Sequence, residues 1–203
     1  MHEFILASAS PRRKQLLEQI GLSFRCLPAQ VDEEAFAALP ARQLVSKLAC
    51  LKARATAQQL ENGIVIAADT VVVLDDLIMG KPINRKDAEQ KLALLSNREH
   101  QVMTGICVFN CQDQNHAVEV EVTKVFFRQL SCCEINAYLD SDEWVDKAGA
   151  YGIQSLGALL IDKIEGCYFN VVGLPLNRLN QMLCKQGVYL LGGKTPDGLQ
   201  SWD

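Results

Sequence analysis

Apolar positions along this chain recur with two periods, and the switches between them mark out an α/β protein. Phe4-Ile5-Leu6-Ala7 predicts a strand over 4–8. Leu16, Leu17 and Ile20 then follow helical spacing until Gly21, which predicts a helix over 11–20. A short extended piece, Phe24 to Leu27, leads into the acidic loop Asp32-Glu33-Glu34. After Pro40, the recurrence of Leu44, Leu48, Leu51 and Ala55 predicts an amphipathic helix over 41–59. Ile64 to Ala68 and Val71 to Leu74 are apolar throughout and interrupted only by Asp69-Thr70, the signature of a buried central strand. Asp75-Asp76 turns that strand back, Gly80-Lys81-Pro82 ends the return, and 85–95 reads as a helix.

Two strands over 101–111 and 117–128 are joined by a hairpin at Gln112 to Asn115, with Val118, Val120 and Val122 on one face and Glu119, Glu121 and Thr123 on the other. A helix over 131–140, a glycine-containing loop over 146–155, a strand over 158–164 and a helix from Pro175 to Lys185 complete the pattern. The expected organisation is a single domain over 1–186 and an irregular or frayed tail over 187–203.

Composition narrows the function classes. At 203 residues, with 49% hydrophobic and 22% charged, the chain suits one large globular domain. Its 20 Lys+Arg against 24 Asp+Glu, a net charge of -4, argue against nucleic acid as a partner but leave room for a local basic cluster that takes a compact anion. No apolar stretch approaches the ~20 residues of a membrane span, and no signal-peptide core stands at the N-terminus, so a cytoplasmic protein without a membrane partner is expected. The eight cysteines form no Cys-x-x-Cys pair and only three histidines accompany them, which argues against zinc. Most of the cysteines interrupt apolar runs and read as small buried hydrophobes kept reduced.

Ser10 suits an N-cap and Pro11 the first helical position, yet Arg12, Arg13 and Lys14 then place three cations in a first turn that the helix dipole already makes positive. Three solvated bases are one account. A phosphate cradle, in which a bound anion reverses the sign of that repulsion, is the better one.

Asp69 is a carboxylate inside an apolar strand, so it must be paired, metal-bound or placed at an opening. Glu33, from the acidic loop, offers a second oxygen ligand for Mg²⁺ (or Mn²⁺) shared with Asp69. Lys52 lies at or beside the core-facing stripe of its helix, where it either snorkels or presents its charge to a cleft anion. Lys81, stiffened between Gly80 and Pro82, carries the same two readings, with function favoured. Arg13, Lys14, Lys52 and Lys81 together would neutralise the polyphosphate of a small nucleotide.

Gly192-Gly193-Lys194-Thr195 is not a P-loop, because Val188 stands where the first glycine belongs and Pro196 blocks the following helix. His2, His100 and His116 suggest no catalytic triad.

The set of motifs resembles the Maf nucleotide pyrophosphatases. Leu6 to Arg13, Val31-Asp32-Glu33, Lys52-Ala53, Ala68-Asp69-Thr70, Gly80-Lys81-Pro82, Thr104-Gly105, Lys147 to Gln154 and Val172 to Pro175 follow in family order. The resemblance implies a metal-dependent hydrolase that converts a nucleoside triphosphate to the monophosphate and pyrophosphate. It further implies a mixed, twisted sheet with flanking helices and a cleft, like that of inosine triphosphate pyrophosphatases, and often a homodimer.

By position, Asp69 would be the proton acceptor, Glu33 a metal or water ligand, and Ser8, Arg13, Lys52 and Lys81 phosphate contacts. Arg12, Thr70 and Gln154 match the members acting on dTTP and UTP, whereas the branch acting on 7-methyl-GTP has Trp, Gln and Glu there. Clearance of noncanonical nucleotides is the implied role. A regulator of cell division that binds nucleotide without obligatory turnover is the alternative attached to the family. The family pattern is broken at Ser155, where it has glycine.

Overall fold

The computed structural model describes residues 3–191. One mixed sheet of seven strands runs through it, in the order β2-β1-β3-β5-β6-β7, with β4 pairing β3. The strands are β1 (Phe4–Leu6), β2 (Phe24–Cys26), β3 (Ile64–Leu74), β4 (Leu77–Met79), β5 (Glu99–Asn110), β6 (His116–Phe127) and β7 (Ile161–Glu165). β1 is parallel to both β2 and β3, while the remaining pairs are antiparallel. The expected α/β class, with a mixed sheet between helices, is what the chain adopts.

Among the described residues, six α-helices flank the sheet: α1 (Pro11–Gln19), α2 (Ala41–Ala57), α3 (Arg85–Leu95), α4 (Cys132–Leu139), α5 (Tyr168–Val172) and α6 (Leu176–Lys185). Alternation along β3 sorts its residues between the two faces. Ile64, Ile66 and Ala68 pack under α1, α5 and α6, through Leu16, Leu17, Val172, Leu179 and Met182. Val65 and Ala67 pack on the opposite face against Ala49, Ala53 and Ala57 of α2, and Val71 and Val73 against its Leu44, Val45 and Leu48. Each buried leucine or valine in that seam contributes about 1.5–3 kcal/mol.

α2 lies unusually close to the sheet because Gly105 leaves room for it. A Cβ at Gly105 would stand 2.3 Å from the Val45 carbonyl oxygen. The sequence pattern places α2 correctly but gives no sign of this approach.

The long strand β3 creates the cleft by outlasting its neighbour. On one edge β1 pairs only with Ile64 to Ile66, and β4 pairs only with Val72 to Leu74. Between them, residues 67–71 of β3 have β5 as partner on the far edge and an opening on the near one. Asp69 and Thr70 lie in that gap.

Three expectations change. Residues 155–160 form a 3₁₀ helix, so the strand expected from 158 begins only at Ile161 as β7; the apolar run Ala158-Leu159-Leu160 belongs to that helix. α5 was not anticipated, being a single short helix of five residues between two glycines, Gly166 and Gly173. The cysteines are mostly not core residues: only Cys107 and Cys111 are buried, while Cys26, Cys132 and Cys133 are exposed on an edge strand and the first turn of α4. At the start of the expected tail the backbone is irregular, and Val188 packs into the core with its N–H donating to the Leu183 carbonyl at 3.0 Å. Residues 192–203, with Gly192-Gly193-Lys194-Thr195, lie outside the described residues, as does His2.

Candidate active site

The gap in the sheet edge opens into a cleft of about 890 Å³, in the range of small-molecule sites. Ser8, Arg12, Arg13, Glu33, Lys52, Asp69, Thr70, Lys81 and Gln154 all line it, so the fold gathers nine of the ten expected site residues from six separate segments. The exception is Lys14. Its ammonium pairs with Glu18 at 3.7 Å across one helical turn, its side chain is 56% exposed, and it is not part of the cleft wall. Helical geometry decides this: α1 buries Leu16 and Leu17, and the residues on that side of the first turn are Arg12 and Arg13.

The acidic half of the site lies on the α2 face. Lys52 Nζ sits 2.6 Å from Asp69 Oδ1 and 2.7 Å from Glu33 Oε1, bridging the two carboxylates. The side chains of Lys52 and Asp69 are 13% and 11% exposed, so this pair is largely withdrawn from water, whereas Glu33 reaches in from a solvent-exposed turn. Asp69 therefore has a basic partner, one of the three ways a carboxylate survives in an apolar strand. Its Oδ2 has no protein partner among the described residues and is not sealed from solvent.

The basic half lies on the opposite face. Arg13 Nε donates to the Gly173 carbonyl at 2.8 Å, Nη1 to Ser8 Oγ at 3.2 Å and Nη2 to Thr70 Oγ1 at 3.0 Å. Three of the five guanidinium N–H groups are thus spent on orientation, leaving two for a ligand. Ser8 Oγ also accepts from the Ser10 backbone N–H at 3.2 Å, so the Ser8 hydroxyl proton stays free to donate. Ser10 occupies the N-cap position of α1 with extended backbone but makes no side-chain cap, and Pro11 follows at N1. The α1 terminus is consequently left without a side-chain cap from Ser10.

Burial pulls the Arg12 guanidinium below its ordinary value, opposed by Asp146 and Tyr138. Burial does the same to Arg13, opposed chiefly by Asp69. Lys147, which carries no signal of its own in the sequence beyond the 147–154 motif, also lines the cleft. Its ammonium is pulled down first by burial and then by Arg12, with Glu143 and Asp146 opposing. With Arg12, Arg13, Lys52 and Lys81 it makes five cations around one cleft in a chain of net charge -4. Such a concentration of positive charge favours a polyanionic ligand.

The Maf-like protein family profile matches residues 3–186, nearly the whole described chain. The chain belongs to the Maf family. Maf relatives of high similarity include a dTTP/UTP pyrophosphatase of Acetivibrio thermocellus, 49% identical and covering 94% of this chain and 98% of its own. Another is the dTTP/UTP pyrophosphatase of Syntrophomonas wolfei, 45% identical over 92% of this chain and 98% of its own. Among solved structures, a Staphylococcus aureus Ham1 protein overlaps 62% of this Maf chain and 71% of its own, at 18% identity and a TM-score of 0.46. No helix among the described residues is long and apolar enough to cross a membrane.

Proposed function

We propose that this Maf protein hydrolyses dTTP and UTP to the nucleoside monophosphate and pyrophosphate, with a divalent cation, in the cytoplasm. The observation that carries the reading is the pairing, across one cleft, of an Asp69–Lys52–Glu33 cluster with the oriented Arg13 guanidinium. Relatives named dTTP/UTP pyrophosphatase over nearly their full length support the substrate class.

In this reading Asp69 accepts a proton from the attacking water, and the new P–O bond forms as the bridging P–O bond to pyrophosphate breaks. Lys52 and Lys81 meet the charge that develops on the leaving pyrophosphate, and preorganised cations of this kind usually supply the largest share of barrier lowering, while Arg13 holds the bound phosphates. Ser8 donates its free hydroxyl proton to a phosphate oxygen. Arg12 and Gln154 face the base, where a Gln154 amide offers both a donor and an acceptor to the imide edge of uracil or thymine.

Glu33 and Asp69 both direct an oxygen at one cation, Lys52 Nζ, so the pair already converges on a positive charge. No cluster of three or more His, Cys, Asp or Glu residues able to hold a metal occurs among the described residues. Two carboxylates completed by water and phosphate oxygens match the habits of Mg²⁺ or Mn²⁺, and Glu33 and Asp69 are the residues that would hold such an ion. Bound there, the ion supplies Lewis-acid polarisation and charge neutralisation at the phosphate.

The test is turnover of UTP, dTTP and 7-methyl-GTP at equal concentration with Mg²⁺, Mn²⁺ or chelator. Release of UMP and pyrophosphate from UTP, lost with chelator, is expected. Binding of UTP without turnover would move the reading to a nucleotide-dependent regulator of cell division, and a preference for 7-methyl-GTP would refute the roles given to Arg12, Thr70 and Gln154.

A further inference from the structure

We infer that Thr104 is a positioning residue for Arg13, acting through Thr70, so that a cleft-facing guanidinium is oriented from inside the sheet. The inference rests on the reading of Arg13 as a phosphate contact.

Thr104 is fully buried in the middle of β5, directly opposite Thr70 in the β3 ladder. A buried hydroxyl costs desolvation energy that an isosteric valine would avoid, so its partners must account for it. There are two of them: Thr104 Oγ1 lies 3.3 Å from the Asn170 carbonyl and 2.9 Å from Thr70 Oγ1.

Proton counting orders these contacts. The Asn170 carbonyl can only accept, so Thr104 donates its one proton there and accepts from Thr70. Thr70, accepting from Arg13 Nη2 at 3.0 Å, donates onward to Thr104. The competing acceptor for the Thr70 proton, the Gly173 carbonyl, is farther, at 3.5 Å, and already takes Arg13 Nε at 2.8 Å. The result is a one-way chain, Arg13 to Thr70 to Thr104 to the Asn170 carbonyl. Thr70 consequently holds its hydroxyl oxygen toward Arg13 and has no proton left for a ligand.

The far end of the chain is anchored. Asn170 is fully buried in α5, and its Nδ2 donates at 2.9 Å to both the Val102 carbonyl and Thr123 Oγ1. Those bonds fix the short helix whose C-cap, Gly173, turns its carbonyl to Arg13 from a left-handed φ of 123°.

The experiment is calorimetric titration with α,β-imido-UTP, which cannot be cleaved at its imido bridge, alongside UTP kinetics. Wild-type protein is the check on the underlying reading: no binding and no turnover would overturn the nucleotide assignment, and this inference with it. Given wild-type binding, Thr104→Val is expected to weaken analogue affinity and raise KM for UTP about tenfold, with kcat within about threefold, and Thr104→Ser to restore both. In an Arg13→Met background, Thr104→Val should add less than about twofold. Unchanged affinity in Thr104→Val, an equal loss in the Arg13→Met background, or failure of serine to rescue overturns the inference. If the valine variant does not fold, Thr104→Cys, close in volume and a poor donor, runs through the same cycle with the same criteria.

Discussion

Asp69 and Thr70 are adjacent in sequence, yet their side chains leave β3 on opposite faces of the sheet and bond to different layers. Asp69 meets Lys52 of α2, while Thr70 meets Arg13 of α1. The gap between β1 and β4 lets both faces open into the same cleft. A two-residue segment thereby joins the acidic half of the cleft to its basic half.

Asp69→Asn should lower kcat for UTP by at least about a thousandfold, as expected for loss of a positioned base. The fold should survive, because an amide oxygen can still accept from Lys52 and Lys52 keeps Glu33 at 2.7 Å. Urea unfolding should register a loss of less than about 2 kcal/mol.

Lys14→Ala and Arg13→Ala separate the two bases that sequence treats alike. Lys14 makes a solvent-exposed pair with Glu18, worth about 0.5 kcal/mol at most, so its removal should leave kcat/KM for UTP within about twofold. Arg13→Ala should cost more than a hundredfold in kcat/KM, since its guanidinium is held in place by three oxygen acceptors.

Gly105→Ala should push α2 off β5. The added methyl would stand 2.3 Å from the Val45 carbonyl oxygen, and a backbone atom cannot step aside as a side-chain tip can. A stability loss of about 3 kcal/mol is expected by chemical denaturation. Activity should fall with it even where the protein remains folded, because α2 carries Lys52.

Ser155 adopts a left-handed φ of 53°, a conformation that glycine takes without cost. Ser155→Gly should therefore stabilise the protein by about 0.5–1 kcal/mol, net of the extra freedom glycine gains when unfolded. A melting curve checks this, and turnover of UTP should not suffer.

His100 is buried against Phe127 and Tyr151, with Nε2 2.7 Å from the Tyr151 hydroxyl, and burial lowers its pKa from 6.5 to about 4. Above pH 6.5 both folded and unfolded chains hold the ring neutral and it contributes no pH dependence. Between pH 6.5 and about 4 the unfolded chain takes up the proton first, so stability falls as pH falls, by up to about 3 kcal/mol in all. His100→Gln should flatten this limb in urea titrations at pH 7 and pH 5. An unchanged pH dependence would show that the ring protonates freely in the folded state.

Much of this protein was legible in its sequence because the relevant forces are local. A period-3.6 pattern located α2, an unbroken apolar run located β3, which is buried on both faces, and alternation located β6 of the β5–β6 hairpin, since each signal depends on which faces of a single element are buried. Asp69 stood out because a carboxylate in an apolar strand must find a partner. What sequence could not decide was which partner, and on which side. Arg12, Arg13 and Lys14 carry the same charge in one turn, and only the packing of Leu16 and Leu17 against the sheet turns the first two to the cleft and the third to water. Thr104, Asn170 and the Gly173 carbonyl stay silent in the sequence, because their meaning is a hydrogen-bond chain across residues up to 160 positions apart. The pattern of apolar residues determines which segments form and which face each one buries; the edge gap, the close approach at Gly105 and the direction of every polar bond arise only when those faces meet in three dimensions.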